Sequence, residues 1–119
     1  MREGVDAPID LVVAQLRSQL GAPLLAYIAG VRETRVVHEW AIGLREIKDG
    51  VSEQRLRVTL RVVSCITEHA SPEIAQAWFQ GLNPELDDCS PARLLREAED
   101  VEGTGRAVLA AARAFGPAN

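Results

Sequence analysis

Aromatic side chains are scarce in this chain: two Trp, one Tyr and two Phe among 119 residues. A core cannot be filled by rings here, so packing falls to Leu, Val, Ile and Ala. Alanine and leucine are strong helix formers, which favours helices over sheet. Cysteine is scarce as well. Cys65 and Cys89 show no C-x-x-C spacing, so they read as free thiols and not as a disulfide or a metal centre. The two histidines, His38 and His69, are too scattered to build a zinc site. No apolar run approaches the roughly 20 residues that cross a membrane, and the opening MREGVDAPID has no signal-peptide core. A cytoplasmic chain without membrane attachment is the expectation. A glycine-rich phosphate loop after a strand, a nucleophile beside a base and a framed carboxylate pair are all missing from the pattern. The chain is therefore read as a non-enzyme, with no cofactor and no metal.

What remains is globular in balance, with 47% hydrophobic and 25% charged residues, enough for one domain. The net charge of −4 hides a gradient. Residues 1–61 hold nine basic and eight acidic side chains, and residues 62–119 hold four and nine. A nearly neutral first half with clustered arginine can meet phosphate, whereas the acidic second half cannot.

Periodicity and stop signals divide the chain into helices. Pro8 to Leu20 forms a first helix with an apolar stripe of Leu11, Val12, Ala14, Leu16 and Leu20. Pro23 to Gly30 forms a short second one, with Leu24, Leu25, Ile28 and Val31 inward and Ala26 and Ala29 small enough for close helix approach. A third runs from a Thr34 cap to about Ile42, with Val36, Val37 and Trp40 on one side and Gly43 as its stop. Lys48-Asp49-Gly50-Val51 reads as a hinge, and Ser52 as the cap of the longest helix, about Glu53 to His69. The breadth of its apolar stripe points to a helix covered on several sides. Ser71-Pro72 opens a fifth helix, with Ile74, Ala75, Trp78 and Phe79 inward. Ser90-Pro91 opens a sixth by the same device. An acidic link of Glu99, Asp100 and Glu102 leads to a last helix from about Thr104 to Phe115. The fold class is all-α.

Two stretches carry function. A short helix, a Gly-Val turn and a second short helix ending in Trp-Ala form a helix-turn-helix pattern, which presents the start of its second helix to a DNA major groove. Arg32, Arg35, His38, Arg45 and Lys48 are the candidate DNA contacts. Arginine binds phosphate or guanine in a bidentate way. Glu33, Glu39 and Glu46 oppose them, so useful affinity requires more than one copy of the chain. The other stretch is Trp78 to Leu95, WFQGLNPELDDCSPARLL. Gly81 and Asn83-Pro84 stop one helix, Ser90-Pro91 starts the next, and Leu82 and Leu86 sit within an acidic link. Apolar residues at fixed places in a polar loop are pinned either to their own core or to a partner.

The run W-F-x-G-x-N-P-x-L-x-x-x-x-P-x-x-L-L, followed by Glu102-Gly103 and Val108-Leu109, resembles the toxin-binding domain of the Xre/MbcA/ParS antitoxins. The likeness covers roughly the last 45 residues. Asp88 stands where that family carries a glycine. The segment LAYIAGVRETRVVHEWAIG is similar to the helix-turn-helix of Xre-like regulators, with a glycine-to-tryptophan interval one residue longer. The resemblance implies a helix-turn-helix domain over residues 1–50, a connecting long helix over 51–70 and a toxin-binding domain over 71–119. It implies an antitoxin of a type II toxin–antitoxin system that occludes a RES-domain, NAD-degrading toxin and represses its own operon at operator DNA. It further implies a homodimer and a hetero-oligomer with the toxin. Asn83, Pro84, Leu86, Pro91, Leu94 and Leu95 carry over as toxin contacts, with Trp78 holding the domain together. The competing reading is a stand-alone helix-turn-helix transcriptional regulator without a toxin.

Overall fold

The computed structural model describes residues 7–116. Among them seven α-helices follow one another: α1 (Ile9–Leu20), α2 (Ala22–Ala29), α3 (Thr34–Ala41), α4 (Gly50–Thr67), α5 (Pro72–Gln80), α6 (Pro91–Glu97) and α7 (Val101–Ala114). A 3-10 turn, Pro84–Leu86, lies between α5 and α6. The described residues contain no strand, only an isolated bridge between Asn83 and Cys89. The all-α expectation holds. None of these helices is long and apolar enough to cross a membrane. Both cysteines are free thiols.

Local signals set most helix ends. Ser71 and Ser90 accept hydrogen bonds from the Ile74 and Arg93 amides, each ahead of a proline at the first helical position. Gly30 closes α2 in the left-handed region at φ 83°. Its amide reaches the Tyr27 carbonyl while the Val31 amide reaches Ala26, a paired closure that needs a residue without a Cβ penalty. Thr34 is the first residue of α3 and not its cap; that place belongs to Glu33, whose side chain makes no capping bond.

Two helices start three residues earlier than expected. Asp49 caps α4 by accepting from the Val51 amide at 3.0 Å, and the Ser52 hydroxyl donates to the same carboxylate at 3.1 Å. The segment read as a hinge is thus a cap and a first turn, and residue 51 lies inside α4. Asp100 likewise caps α7 by accepting from the Gly103 amide at 3.0 Å. Gly103 and Gly105 are helical, and α7 gains a turn drawn from the acidic link.

α4 is the centre. It packs against α1, α2, α5, α6 and α7, and buries Leu56, Val58, Leu60, Val62, Val63 and Ile66. One apolar cluster runs from Val12 through Trp40 and Phe79 to Ala112. Polar ties cross it: the Gln76 amide donates to the Gln19 carbonyl at 2.8 Å, and Arg96 donates to the Tyr27 carbonyl at 2.7 Å. The first and last thirds of the chain therefore share a core. Two inward assignments are corrected. Leu11 is 59% exposed, because it lies about 100° around α1 from Val12, and Val13 takes its place in the core. Ile74 is 46% exposed, since Ala75, Trp78 and Phe79 already fill the inner face of α5.

Candidate functional site

The loop between α5 and α6 is built around Asn83. Its side chain accepts from the Glu85 amide at 2.9 Å, where Pro84 has no N–H to offer. Its carbonyl accepts from the Leu86 and Asp88 amides, both at 2.9 Å, and its amide donates to the Cys89 carbonyl at 3.2 Å. One residue thus closes the loop by four hydrogen bonds. Asp87 and Asp88 both adopt left-handed backbone, at φ 56° and 61°. Asp88, standing where the resembled family has glycine, keeps the backbone that glycine adopts most readily, a region aspartate enters more easily than bulky or β-branched residues do.

The loop's apolar residues divide by destination. Leu86, Pro91 and Leu95 are buried, Leu95 completely. In this conformation their side chains hold the loop and α6 onto the body, so they do not present a partner-facing surface. The reason is geometric: the 3-10 turn points Leu86 inward, and Leu95 lies one helical turn beyond Pro91 on the same side of α6. Pro84 is exposed, and Asn83 and Leu94 are half-buried. Leu82, noted in the sequence but not among the carried-over contacts, is 76% exposed at the loop's edge. Trp78 is buried, with Phe79 edge-on at 5.2 Å and Phe115 tilted at 6.3 Å between ring centres. Among the acids of the following link, Glu99 and Glu102 are exposed, whereas Asp100 is committed to its cap.

The helix-turn-helix residues lie on α2, a four-residue turn and α3. Val37, Trp40 and Ala41 turn inward, and α3 rests on α1 and α2. Arg32, Arg35, His38, Arg45 and Lys48 are all exposed. Their electrostatics are unequal. Arg35 is paired with Glu33 at 3.1 Å and Arg45 with Glu39 at 2.8 Å. Arg17 lies 2.9 Å from His38 Nδ1. Arg32 and Lys48 have no ion pair among the described residues. The arginines of α4 do not simply extend this face: Arg57 bonds Glu53 and the Ala7 carbonyl, and Arg55 bonds the Ala98 carbonyl.

One feature has no sequence signal. A cleft of about 810 Å³ opens beside the turn, walled by Trp40 and by side chains from α4 and α6. Arg55 and Arg96 enter it from helices far apart in the sequence, joined there by Arg45 and Lys48. Only the tertiary packing of α2, α4 and α6 brings these four cations together. Among the described residues, no cluster of three or more His, Cys, Asp or Glu forms a possible metal site. Comparison with protein-family models, with curated proteins and with solved structures returns no match.

Proposed function

We propose that this chain is an antitoxin: its loop between α5 and α6, with the adjoining surface of α6, occupies the cleft of a partner toxin, and its helix-turn-helix face binds the operator of their shared operon. The observation that carries the reading is the Asn83-centred loop. It is held in one shape by its own hydrogen bonds and anchored below by Leu86 and Leu95, yet it leaves Leu82 and Pro84 outside. A pre-ordered loop loses little conformational entropy on docking, which favours tight occlusion. The exposed Leu82 adds apolar area that a partner can remove from water. Glu99 and Glu102 supply charge complementary to basic residues around a phosphorylated substrate such as NAD. A RES-domain toxin that degrades NAD fits this chemistry.

Operator binding is the weaker half of the proposal in energy. With Arg35 and Arg45 already paired to acids, one copy makes few phosphate contacts. Two copies on adjacent half-sites add those contacts, and exposed Ile42 and Leu44 at the end of α3 offer apolar area for pairing. The test is co-expression with the product of the neighbouring open reading frame. Relief of the neighbour's growth arrest is expected. Arrest that persists with this chain present overturns the antitoxin reading and leaves the stand-alone regulator.

A further inference from the structure

Beside the helix-turn-helix, the cleft walled by Trp40 has an unusual charge economy. Its lining holds four cations, Arg45, Lys48, Arg55 and Arg96, against two acids, Glu46 and Asp49. Asp49 is occupied as the cap of α4, and Arg45 by its pair with Glu39. Three cations are left without a carboxylate partner among the described residues, against Glu46 as the one lining carboxylate not otherwise bonded. Arg55 has only the Ala98 carbonyl, at a long 3.3 Å, and Arg96 has the Tyr27 carbonyl and the Tyr27 ring at 4.7 Å. Lys48 stands at the rim, exposed.

Two donors at this wall are also unsatisfied. Trp40 is 6% exposed, and its indole Nε1 has no acceptor; Arg55 Nε is likewise buried without one. A buried donor left unbonded costs free energy, and a partly buried guanidinium without a counter-charge costs more. Three cations without a carboxylate partner line one open cleft, and two buried, unsatisfied donors belong to residues of its wall; together they describe a receptor for an anion. The cleft is large enough for a small molecule and is broadly open to solvent.

We infer that this cleft binds a small polyanion, carrying phosphoryl groups or clustered carboxylates, with Arg55 and Arg96 as its principal ligands and Lys48 at the rim. The site is separate from the toxin-facing loop, and its existence does not depend on the antitoxin reading. Trp40 Nε1 and Arg55 Nε are closed to solvent in this conformation. Both belong to residues that line the cleft, which makes their N–H resonances the reporters of an anion held there.

The experiment uses the full chain labelled with ¹⁵N and titrated at constant ionic strength with pyrophosphate, ATP and citrate in turn. A saturable shift of the Trp40 indole N–H, with the Trp78 indole unmoved, is expected for at least one of them. Saturation by pyrophosphate and ATP but not citrate assigns the ligand to phosphoryl compounds; saturation by citrate alone assigns it to carboxylates. Arg55→Gln and Arg96→Gln should each weaken binding by about tenfold or more, the loss expected for one charge-assisted contact. Lys48→Gln, at an exposed position, should weaken it without disturbing the fold. Arg93→Gln lies on α6 outside the cleft, and should leave binding unchanged. No saturable Trp40 shift with any of the three anions overturns the inference. Equal weakening by Arg93→Gln, or binding seen only with duplex DNA, does so too.

Discussion

Gly105 of α7 lies so close to Val58 of α4 that a Cβ at position 105 would meet Val58 Cγ1 at 2.8 Å. The contact joins the two helices that form the domain's central pair, and it explains a glycine in a helix interior. Gly105→Ala gains helix propensity but forces Val58 aside, and overpacking of this kind costs about 1–3 kcal/mol. Urea denaturation should show a net loss of stability, with Val58→Ala restoring part of it in the double variant. A stability gain in Gly105→Ala alone would contradict the close approach.

The left-handed backbone at Asp88 makes a second expectation. Asp88→Gly relieves a conformation that costs a non-glycine residue roughly 1 kcal/mol, so thermal unfolding should move upward. Asp88→Val should move it downward, because a β-branched side chain resists that region.

The caps make a third. Asp100→Ala removes the bond to the Gly103 amide and should cost about 1 kcal/mol, measured by denaturation. Charge tests of the acidic link therefore leave Asp100 untouched. Reversal of Glu99 and Glu102 to lysine should lower toxin affinity in a salt-dependent manner while the melting temperature stays close to that of the parent. Affinity that does not change removes the electrostatic part of the proposal.

On the DNA-facing side, paired and unpaired arginines should behave differently. Arg32→Ala and Lys48→Ala each remove a cation free of ion pairing and should reduce the salt slope of operator binding by about one. Glu33→Gln and Glu39→Gln release Arg35 and Arg45, and should tighten binding. Equal effects of all four substitutions would argue against the pairing, and no binding at any salt would remove the operator role.

Sequence reasoning served best where a single residue decides. Ser71 and Ser90 before prolines, Gly30 and Gly43 after short helices, and the Asn83-Pro84 break are local chemistry, and each stands where the pattern put it. The two helix starts that the pattern put too late share one cause. In each, an aspartate cap stands just ahead of a first turn that contains glycine, Asp49 before Gly50 and Asp100 before Gly103, and glycine there argues for a later start. Tertiary packing chose the earlier: Ser52 is buried, and Val101 is held in the core. The same limit applies to the candidate site. Leu82, Leu86, Leu94 and Leu95 are alike in sequence, and only the packed fold separates the exposed Leu82 and half-buried Leu94 from the buried Leu86 and Leu95. The Trp40 cleft was illegible for a related reason, since Arg55 and Arg96 stand 41 residues apart and come to one cleft only in the packed fold.

The most direct measurement is titration calorimetry of the purified chain against the neighbouring gene's product, run beside Leu82→Glu. The parent is expected to form a tight complex. Leu82→Glu, at a side chain already 76% exposed, should keep its fold by circular dichroism and lose that complex. No heat of binding with the parent protein, or an affinity that ignores the glutamate, would contradict the account.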